Sequence, residues 1–448
     1  FERDIVPILQ TSCGGMDSSC HDRTAYAATF DQECRGWLSL EDSPLGAEIY
    51  AGATKGDSTG CPDIPLYERL LELDAWQCEV YDERAAYLVP CDPEASYLYR
   101  KIVGDVCNLV PTIRVLQRLW PDARITWIIG KGEHSLLAGL SGVEFVVYDK
   151  STGLSGMRAI WRELADTRFD VLLHMQQAIR ASVLSLGLKA NVRVGYDKAR
   201  AKDAQHWFTQ HQLAPHANAH VLESFMDFAR LLGVEDDRLE WNLAVPAVAY
   251  EEARAISGDA PYLVINPCSN ARLRNFRNWS VEGYASVIEH AWVQHGLKSV
   301  LTGGGSPLER EMGDHIEALC QSGSVINAIG GTSLKGVLAL IDNARAVIAP
   351  DTGPAHMGNA MGTPTLGLYA TTNPQRAAPY LWRDFAVNAY PDAVRTYLHK
   401  SVDEVSWGQR VRHADAMDLI KADDVIAKLD ALLAHTAAQT TTGPSDES

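Results

Sequence analysis

One stretch of the chain, RAVIAPDTGPAHMGNAMGTPTLGLYATTNP, combines residue types that can bind a diphosphate. An apolar run ends at Asp351, Thr352 and Gly353 form a turn, and Pro354 takes the first position of a predicted helix. The N–H groups of a first helical turn lack partners and the helix dipole is positive there, so a diphosphate fits at this point. The spacing alone leaves a structural alternative open, in which the aspartate caps the helix and His356 is simply buried.

Alternating strands and helices would hold this stretch in place. From residue 105 on, apolar runs such as ITWII, FVVY, YLVI, SVL, AVIA and TLGLY alternate with segments of helical periodicity. Such alternation is typical of doubly wound parallel sheets, which bind ligands beyond the carboxyl ends of their strands. A polar stretch near 236–260 separates two such series, so the sequence predicts two consecutive parallel-sheet domains with a cleft between them.

Composition divides the chain at about residue 108. Residues 1–108 hold 8 Lys and Arg against 20 Asp and Glu, a balance of −12, whereas the other 340 residues carry −5. This acidic balance argues against a nucleic-acid partner, which requires a basic surface. No apolar run approaches the roughly 18 residues of a transmembrane helix, and no signal-peptide pattern opens the chain.

Cysteine usage divides at the same place. Seven of the nine cysteines are Cys13, Cys20, Cys34, Cys61, Cys78, Cys91 and Cys107. This density is typical of a disulfide-stapled domain from an oxidising compartment. The sparse Cys268 and Cys320 of the remainder suit a reduced, cytoplasmic enzyme, so the two parts indicate different compartments.

The DTGPAH segment resembles the D-[ST]-G-x-x-H motif of the family-nine glycosyltransferases, the bacterial lipopolysaccharide heptosyltransferases. Further segments resemble motifs of that family in the same order, namely INPCSNARLRNFRNWS, VLTGGGSPLERE, GGTSLKGVLALIDNA and GTPTLGLYATTNPQRAAPY. Two earlier segments, GDVCNLVPTIRVLQRLWPDARITWI and LGLKANVRVGYDKARA, fit the family as well. The resemblance covers about residues 105–435.

The resemblance implies an α/β enzyme of the GT-B type, in which two Rossmann-like parallel-sheet domains face a cleft. The acceptor domain would span 104–245 and the nucleotide-sugar domain 246–435, followed by a disordered tail at 436–448. The enzyme would transfer a sugar with inversion, without a metal or another cofactor. Its donor would be a nucleotide-diphosphate sugar, typically ADP-heptose, and its acceptor an anionic lipid-linked inner-core saccharide. It would be cytoplasmic, with peripheral contact to the inner membrane.

The resemblance also gives roles to particular residues. Asp105, in the expected turn between the first strand and the first helix, would be the general base, and Arg277 would face the leaving diphosphate. The alternatives are a helix-capping aspartate and a solvated loop arginine, whose role Arg272 or Arg274 could take. The donor-binding candidates are Ser269, Glu309, Thr332, Ser333, Asp351, Thr352, Gly353 and His356.

Two of these assignments concern charged groups away from the diphosphate. Glu309 would accept hydrogen bonds from the ribose hydroxyls, but an ordinary glutamate in a first helical turn explains it equally well. A basic group that also includes Lys189 and Arg193 would dock the anionic acceptor, and its alternative is a solvated charged face. The acceptor-binding candidates are Arg180, Lys198, Arg200 and Lys202.

Residues 1–103 resemble another family, the cytochrome-c-like domains of bacterial secreted proteins, in FERDIVPILQTSC, SSCHD and LVPCDPEASYLYRKIVG. Haem attachment needs two residues between the cysteines, but six separate Cys13 from Cys20, which precedes His21. We therefore expect a Cys-rich module without haem. Such a module would suit the periplasm, which conflicts with the cytoplasmic location expected for the remainder. SYLYRKIVGD stands where the transferase family has its first strand, so the sequence predicts a fusion. If this segment forms no strand, Asp105 is displaced from its family position.

Two alternatives to a glycosyltransferase stay open at this point. One is an electron-transfer protein that resembles c-type cytochromes and is built on the first hundred residues. The other is an inactive fusion that binds a sugar nucleotide. A Soret absorption band would favour the first alternative, and ADP release from ADP-sugars would separate an active enzyme from the second.

Overall fold

The computed structural model describes residues 39–40, 47–48, 97–269 and 276–441. The chain forms two compact units. The first comprises Phe1–Tyr81 and Tyr148–Pro215, and the second comprises Asp82–Val147 and His216–Ser448.

Strands and helices alternate along most of the described chain. In chain order they are β1 (Ser39–Leu40), β2 (Ala47–Glu48), α1 (Tyr97–Leu119), β3 (Ile125–Gly130), α2 (Lys131–Leu137), β4 (Val143–Tyr148), α3 (Gly153–Glu163), β5 (Arg168–Leu173), α4 (Ile179–Leu186), β6 (Lys189–Gly195), β7 (His211–Gln212), α5 (Val221–Leu231), α6 (Ala247–Ser257), β8 (Tyr262–Ile265), α7 (Val281–His295), β9 (Lys298–Leu301), α8 (Pro307–Leu319), β10 (Val325–Asn327), α9 (Leu334–Asp342), β11 (Ala346–Pro350), α10 (Gly353–Met361), β12 (Thr365–Tyr369), α11 (Pro374–Ala377), β13 (Val387–Asn388), α12 (Tyr390–Leu398) and α13 (Ala422–Thr441).

The first unit contains a parallel sheet in the order β5-β6-β7. Its interior includes a polar group around His174, whose ring lies 3.0 Å from the Ser182 hydroxyl and 3.1 Å from the Gln205 amide. Burial lowers the pKa of His174 to about 4, so the ring is neutral at neutral pH. The short strands β1 and β2 pair with each other in antiparallel fashion.

The second unit is built on a six-stranded parallel sheet in the order β10-β9-β8-β11-β12-β13. Every residue of β8, β11 and β12 is buried, which explains why these strands are continuous apolar runs in the sequence. Numbered within this sheet, the strand order is 3-2-1-4-5-6, and the order reverses between β8 and β11. In such sheets the crevice at the reversal, beyond the carboxyl ends of the strands, is where ligands bind.

Helix α1 runs without interruption across the predicted junction at residue 104. Val106, Val110 and Ile113 recur at helical spacing and are buried, and α1 packs against α5 and α10. The expected strand-to-helix turn at Asp105 is therefore wrong, because Asp105 lies inside the helix. Residues 97–103 are helical and do not form the family's first strand.

Three other expectations need correction in the second unit. The stretch near 236–260, expected to be a connector, contains helix α6, since Ala249 and Ala253 give it a buried face. The tail expected from residue 436 is helical as far as Thr441. Cys107 does not belong to a disulfide framework, because it is a free, buried thiol of α1. In the described part of the chain, no helix has the length and apolar character needed to cross a bilayer.

Candidate active site

The crevice between β8 and β11 is organised by a buried asparagine, Asn266. Its backbone N–H continues the strand pairing by donating to Ile348 O at 3.0 Å. Its side chain donates to Thr302 O beyond β9 at 2.7 Å and lies 3.3 Å from the Thr352 hydroxyl beyond β11. Asn266 thus joins the ends of three strands at the predicted donor site. Sequence reasoning missed it, although it directly follows a strand of the parallel sheet.

Asp351 lies at the centre of this crevice, between two basic side chains. Arg277 Nη1 donates to the Asp351 carbonyl oxygen at 2.9 Å and lies 3.8 Å from its carboxylate Oδ2. His356 Nε2 lies 3.9 Å from the other carboxylate oxygen. The structure therefore brings together three residues that the sequence assigned to one site from distant positions.

The carboxyl group of Asp351 is ionised. Burial by itself raises its pKa, but the charge of Arg277, then the hydrogen bond from His356 and the charge of Arg410, outweigh burial and hold the pKa far below its usual range. The Asp351 carboxylate in turn neutralises the Arg277 guanidinium in the free protein, because the two groups are close and largely shielded from water.

Helix α1 reaches the same place through Gly104 and Asn108, one helical turn apart. A Cβ atom at Gly104 would lie only 2.7 Å from Cδ2 of His356, so this close contact requires glycine. Asn108 Nδ2 lies 3.2 Å from His356 Nδ1. With the amide donating to Nδ1, the ring proton is on Nε2 and faces Asp351. Asp105, half-buried, directly follows the glycine that touches His356.

The four helices that follow β8, β9, β10 and β11 start in different ways. Ser280 caps α7 by accepting from Gly283 N, and Ser333 caps α9 by accepting from Gly336 N. Helix α8 has a capping box in which the Glu309 carboxylate accepts from the Ser306 hydroxyl at 2.5 Å. Helix α10, which follows β11, has no side-chain cap and no acidic residue in its first turn. Among these four helices, α10 is the one open to an anion.

Three of the other donor-binding candidates are held by local contacts. Glu309 also accepts from Gly304 N at 3.0 Å and is buried, which favours the capping role that was left open from the sequence. Ser333 donates through its N–H and its hydroxyl to the Glu252 carboxylate of α6, at 2.6 and 2.7 Å. Ser269 is buried, and its N–H donates to Asn278 Oδ1 at 2.8 Å. Arg272 and Arg274 lie outside the described residues.

The remaining candidates differ in how free their side chains are. The Thr332 hydroxyl oxygen is buried and has no hydrogen-bond partner in the part of the chain that the structure describes. Among the acceptor candidates of the first unit, Lys198 and Lys202 are exposed, and Arg180, in the first turn of α4, is half-buried. The Arg200 guanidinium pairs with Asp197 and donates to Ala214 O at 2.9 Å.

Comparisons with known proteins identify the family of this chain. The sequence profile of Glycosyltransferase family 9 (heptosyltransferase) matches residues 157–400. Lipopolysaccharide core heptosyltransferase OpsX of Haemophilus influenzae is 35% identical over 328 residues, which cover 73% of this chain and 93% of the relative. Lipopolysaccharide heptosyltransferase 3 of Escherichia coli is 24% identical over 347 residues, which cover 75% and 98%.

Solved structures share the fold. A glycosyl transferase of family 9 from Veillonella parvula superposes with a TM-score of 0.62 at 20% identity, over 74% of this chain and 95% of that one. The ADP-heptose lps heptosyltransferase II of E. coli gives a TM-score of 0.57 at 19% identity, over 75% and 97%.

The chain therefore belongs to glycosyltransferase family 9, the heptosyltransferases. The predictions of an α/β fold with parallel sheets and of a glycosyltransferase are confirmed, and the comparisons support this function over electron transfer. The cytochrome-c-like prediction falls on residues 1–103, most of which lie outside the described residues.

Proposed function

We propose that this chain transfers a heptose from ADP-heptose to an anionic, lipid-linked saccharide of the lipopolysaccharide core. The observation that carries the proposal is the open N-terminus of α10 beside Arg277, at the point where the strand order of the sheet reverses. The names of the relatives supply the substrate class, since they include a lipopolysaccharide core heptosyltransferase and an ADP-heptose heptosyltransferase.

The proposed step is a single displacement with inversion. The acceptor hydroxyl loses its proton to the Asp105 carboxylate, and its oxygen forms a bond to the anomeric carbon of the heptose. The bond between that carbon and the diphosphate oxygen breaks, and ADP leaves with the bonding electron pair. Arg277, the first N–H groups of α10 and the Nε2–H of His356 stabilise the charge that develops on this leaving group.

The protein supplies the positive groups of this step, so the proposal includes no metal or other cofactor. The two-domain GT-B arrangement and the role of Arg180, Lys198, Arg200 and Lys202 toward the acceptor are parts of the same proposal. Because the acceptor is lipid-linked and the donor is a nucleotide sugar, we place the reaction at the cytoplasmic face of the inner membrane, with peripheral contact to its surface.

The test is ADP release from ADP-heptose in the presence of a heptose-deficient lipopolysaccharide. Release should depend on the acceptor and fall about a hundredfold or more in Asp105→Asn, which removes the base. Asparagine has nearly the same helix propensity, so we expect the free energy of unfolding to change by less than about 0.5 kcal/mol. The control is Asp122→Asn, an exposed aspartate just beyond α1.

Two results would contradict different parts of the proposal. Full transfer activity in Asp105→Asn would show that Asp105 is not the base. No acceptor-dependent release by the unmutated protein from any ADP-sugar would defeat the function itself, and would favour an enzyme inactivated by the helical junction before Gly104.

A further inference from the structure

A loop at residues 406–411 brings an arginine to the carboxyl edge of the six-stranded sheet. Val411 N donates to Thr371 O at 2.9 Å, and Thr371 lies two residues beyond the end of β12. Strand β12 pairs in parallel with β11, whose last residue directly precedes Asp351. Arg410 therefore lies along the same sheet edge as the open end of α10. Its charge also contributes, after Arg277 and His356, to holding the pKa of Asp351 low against the effect of burial.

The backbone of this loop is fixed on both sides of Arg410. Gln409 N donates to Ser406 O at 2.8 Å, and the Tyr390 hydroxyl donates to Gln409 O at 2.9 Å. The Gln409 side chain donates to Arg410 O at 2.9 Å, and Val411 is buried. The arginine is thus presented on a preorganised backbone, which lowers the entropic cost of binding an anion there.

The guanidinium of Arg410 is half-buried, yet it has no hydrogen-bond or ion-pair partner in the described part of the chain. Arg376 of α11 is also half-buried and without a partner there, and its Nε lies 3.8 Å from where a Cβ of Gly408 would be. Arg277 differs, because it is already paired with Asp351. Asp351 is a single carboxylate that is already paired with Arg277 and is also affected by the charge of Arg410, so the three arginines leave a net positive charge among these described residues.

A buried hydroxyl belongs to the segment that pairs with the loop of Arg410, since Thr372 directly follows Thr371, whose carbonyl oxygen accepts from Val411 N. Thr372 is only 7% exposed, and its Oγ1 has no hydrogen-bond partner among the described residues. Buried polar groups of native proteins are nearly always paired, so a buried hydroxyl without a partner indicates a missing one. At a sheet edge that also carries Arg410 and Arg376, that partner would be an oxyanion, which accepts from hydroxyl and guanidinium alike.

We propose that Arg410 and Thr372, with Arg376 as a second cation, form a phosphate-binding subsite beside the α10 terminus. The identity of its ligand rests on the proposed function, in which two substrates carry such groups. The donor brings a diphosphate, which gains one negative charge as the sugar–oxygen bond breaks. The acceptor brings its own phosphate or carboxylate groups. Because Asp351 already neutralises Arg277, Arg410 supplies the additional positive charge for this oxyanion.

Binding of ADP and of inorganic pyrophosphate, measured by calorimetry, tests the subsite without any transfer reaction. Arg410→Ala should weaken binding about 10- to 100-fold, as expected for loss of a charge-assisted contact. Arg412→Ala, which changes an exposed arginine one residue beyond this loop, should leave both affinities unchanged.

Thr372→Val keeps the shape of the side chain and removes the hydroxyl. Because that hydroxyl has no partner in the free protein, a purely structural role predicts an unchanged or higher Tm and no effect on binding. The subsite predicts the same Tm behaviour together with anion binding weakened about 3- to 10-fold. This variant also keeps the test valid if Arg410→Ala does not fold.

The outcomes identify the source of the oxyanion. Weaker ADP and pyrophosphate binding in both variants assigns the subsite to the donor diphosphate. Unchanged ADP binding with a raised KM for the lipopolysaccharide acceptor assigns it to an acceptor anion. If neither quantity changes in either variant, the subsite is overturned even if the unmutated protein is an active heptosyltransferase. If the unmutated protein shows no transfer, the proposed function is refuted. The effect of the two variants on pyrophosphate binding then decides by itself whether the subsite exists.

Discussion

The pairing of Arg277 with Asp351 gives a prediction whose size follows from the structure. Arg277 Nη1 and Asp351 Oδ2 are 3.8 Å apart, and their side chains are 12% and 17% exposed. At this distance two unit charges attract by about 1 kcal/mol in water and about 4 kcal/mol at an effective dielectric constant of about 20. Since both groups are largely shielded, we expect a coupling free energy of about 2–3 kcal/mol.

A double-mutant cycle with Arg277→Met and Asp351→Asn isolates this coupling. The bond from Arg277 to the Asp351 backbone carbonyl is lost in both arms that carry Arg277→Met, so it cancels. Urea unfolding should be followed by hydrogen exchange in peptides from β8 and β11, so that the measured transition belongs to the second unit. A matched cycle with the exposed pair Arg254 and Asp259 should give less than about 1 kcal/mol.

The pH dependence of the coupling has a defined sign. The folded pKa of Asp351 is lowered, so the stability it contributes is fully present above its unfolded value near 3.8 and is lost as pH falls below that value. The coupling should therefore be constant from pH 8 to about 5. A coupling below about 0.5 kcal/mol at pH 7, no larger than that of the exposed pair, would refute the argument.

Three further predictions concern other parts of the second unit. Gly353→Val should abolish the stabilisation by ADP in a thermal-shift assay while the protein still folds, and unchanged ADP binding would contradict the assigned site. Burial lowers the pKa of His220 to about 4. The stability that its neutral form contributes, about 3 kcal/mol, should be present above pH 6.5 and lost as pH falls toward 4. His220→Asn can still cap α5, and it should flatten the pH dependence of the free energy of urea unfolding over that window. Lys335 donates to Ala138 O at 3.0 Å and to Ala244 O, so Lys335→Met should lower the free energy of unfolding by about 1–3 kcal/mol, and a loss below about 0.5 kcal/mol would show that these bonds contribute little.

Much of the second unit could be predicted because its signals are local. The strands β8, β11 and β12 are buried on both faces, so their composition alone marks them as central parallel strands. The turn before α10 carries a helix start that can be read directly from Gly353 and Pro354. Known motifs then placed Arg277 near Asp351, across 74 residues of sequence.

The parts that could not be predicted depend on contacts between distant segments. Helix α1 spans residue 104, where one family resemblance ends and the other begins. Neither family's pattern therefore indicates a single helix across this junction. Asn108 contacts His356 across 248 residues, and only the packing of α1 on α10 reveals it. Arg410 could not be recognised as unusual either, because sequence cannot distinguish an unpaired arginine from one that is paired.

The way in which the helices of the second unit begin has a consequence for donor selection. Every helix that starts at this edge of the sheet attracts anions, and a nucleotide diphosphate could in principle bind at several of them. The protein's own carboxylates, Glu309 at α8 and Glu252 at α9, already bind at those helix starts and compete with any anion from solution. Among the four described helices that follow β8, β9, β10 and β11, α10 is the one without a side-chain cap, so a bound phosphate would take the place of that cap. Its arrival should therefore slow amide exchange at Gly353 and Ala355 and leave the starts of α8 and α9 unaffected.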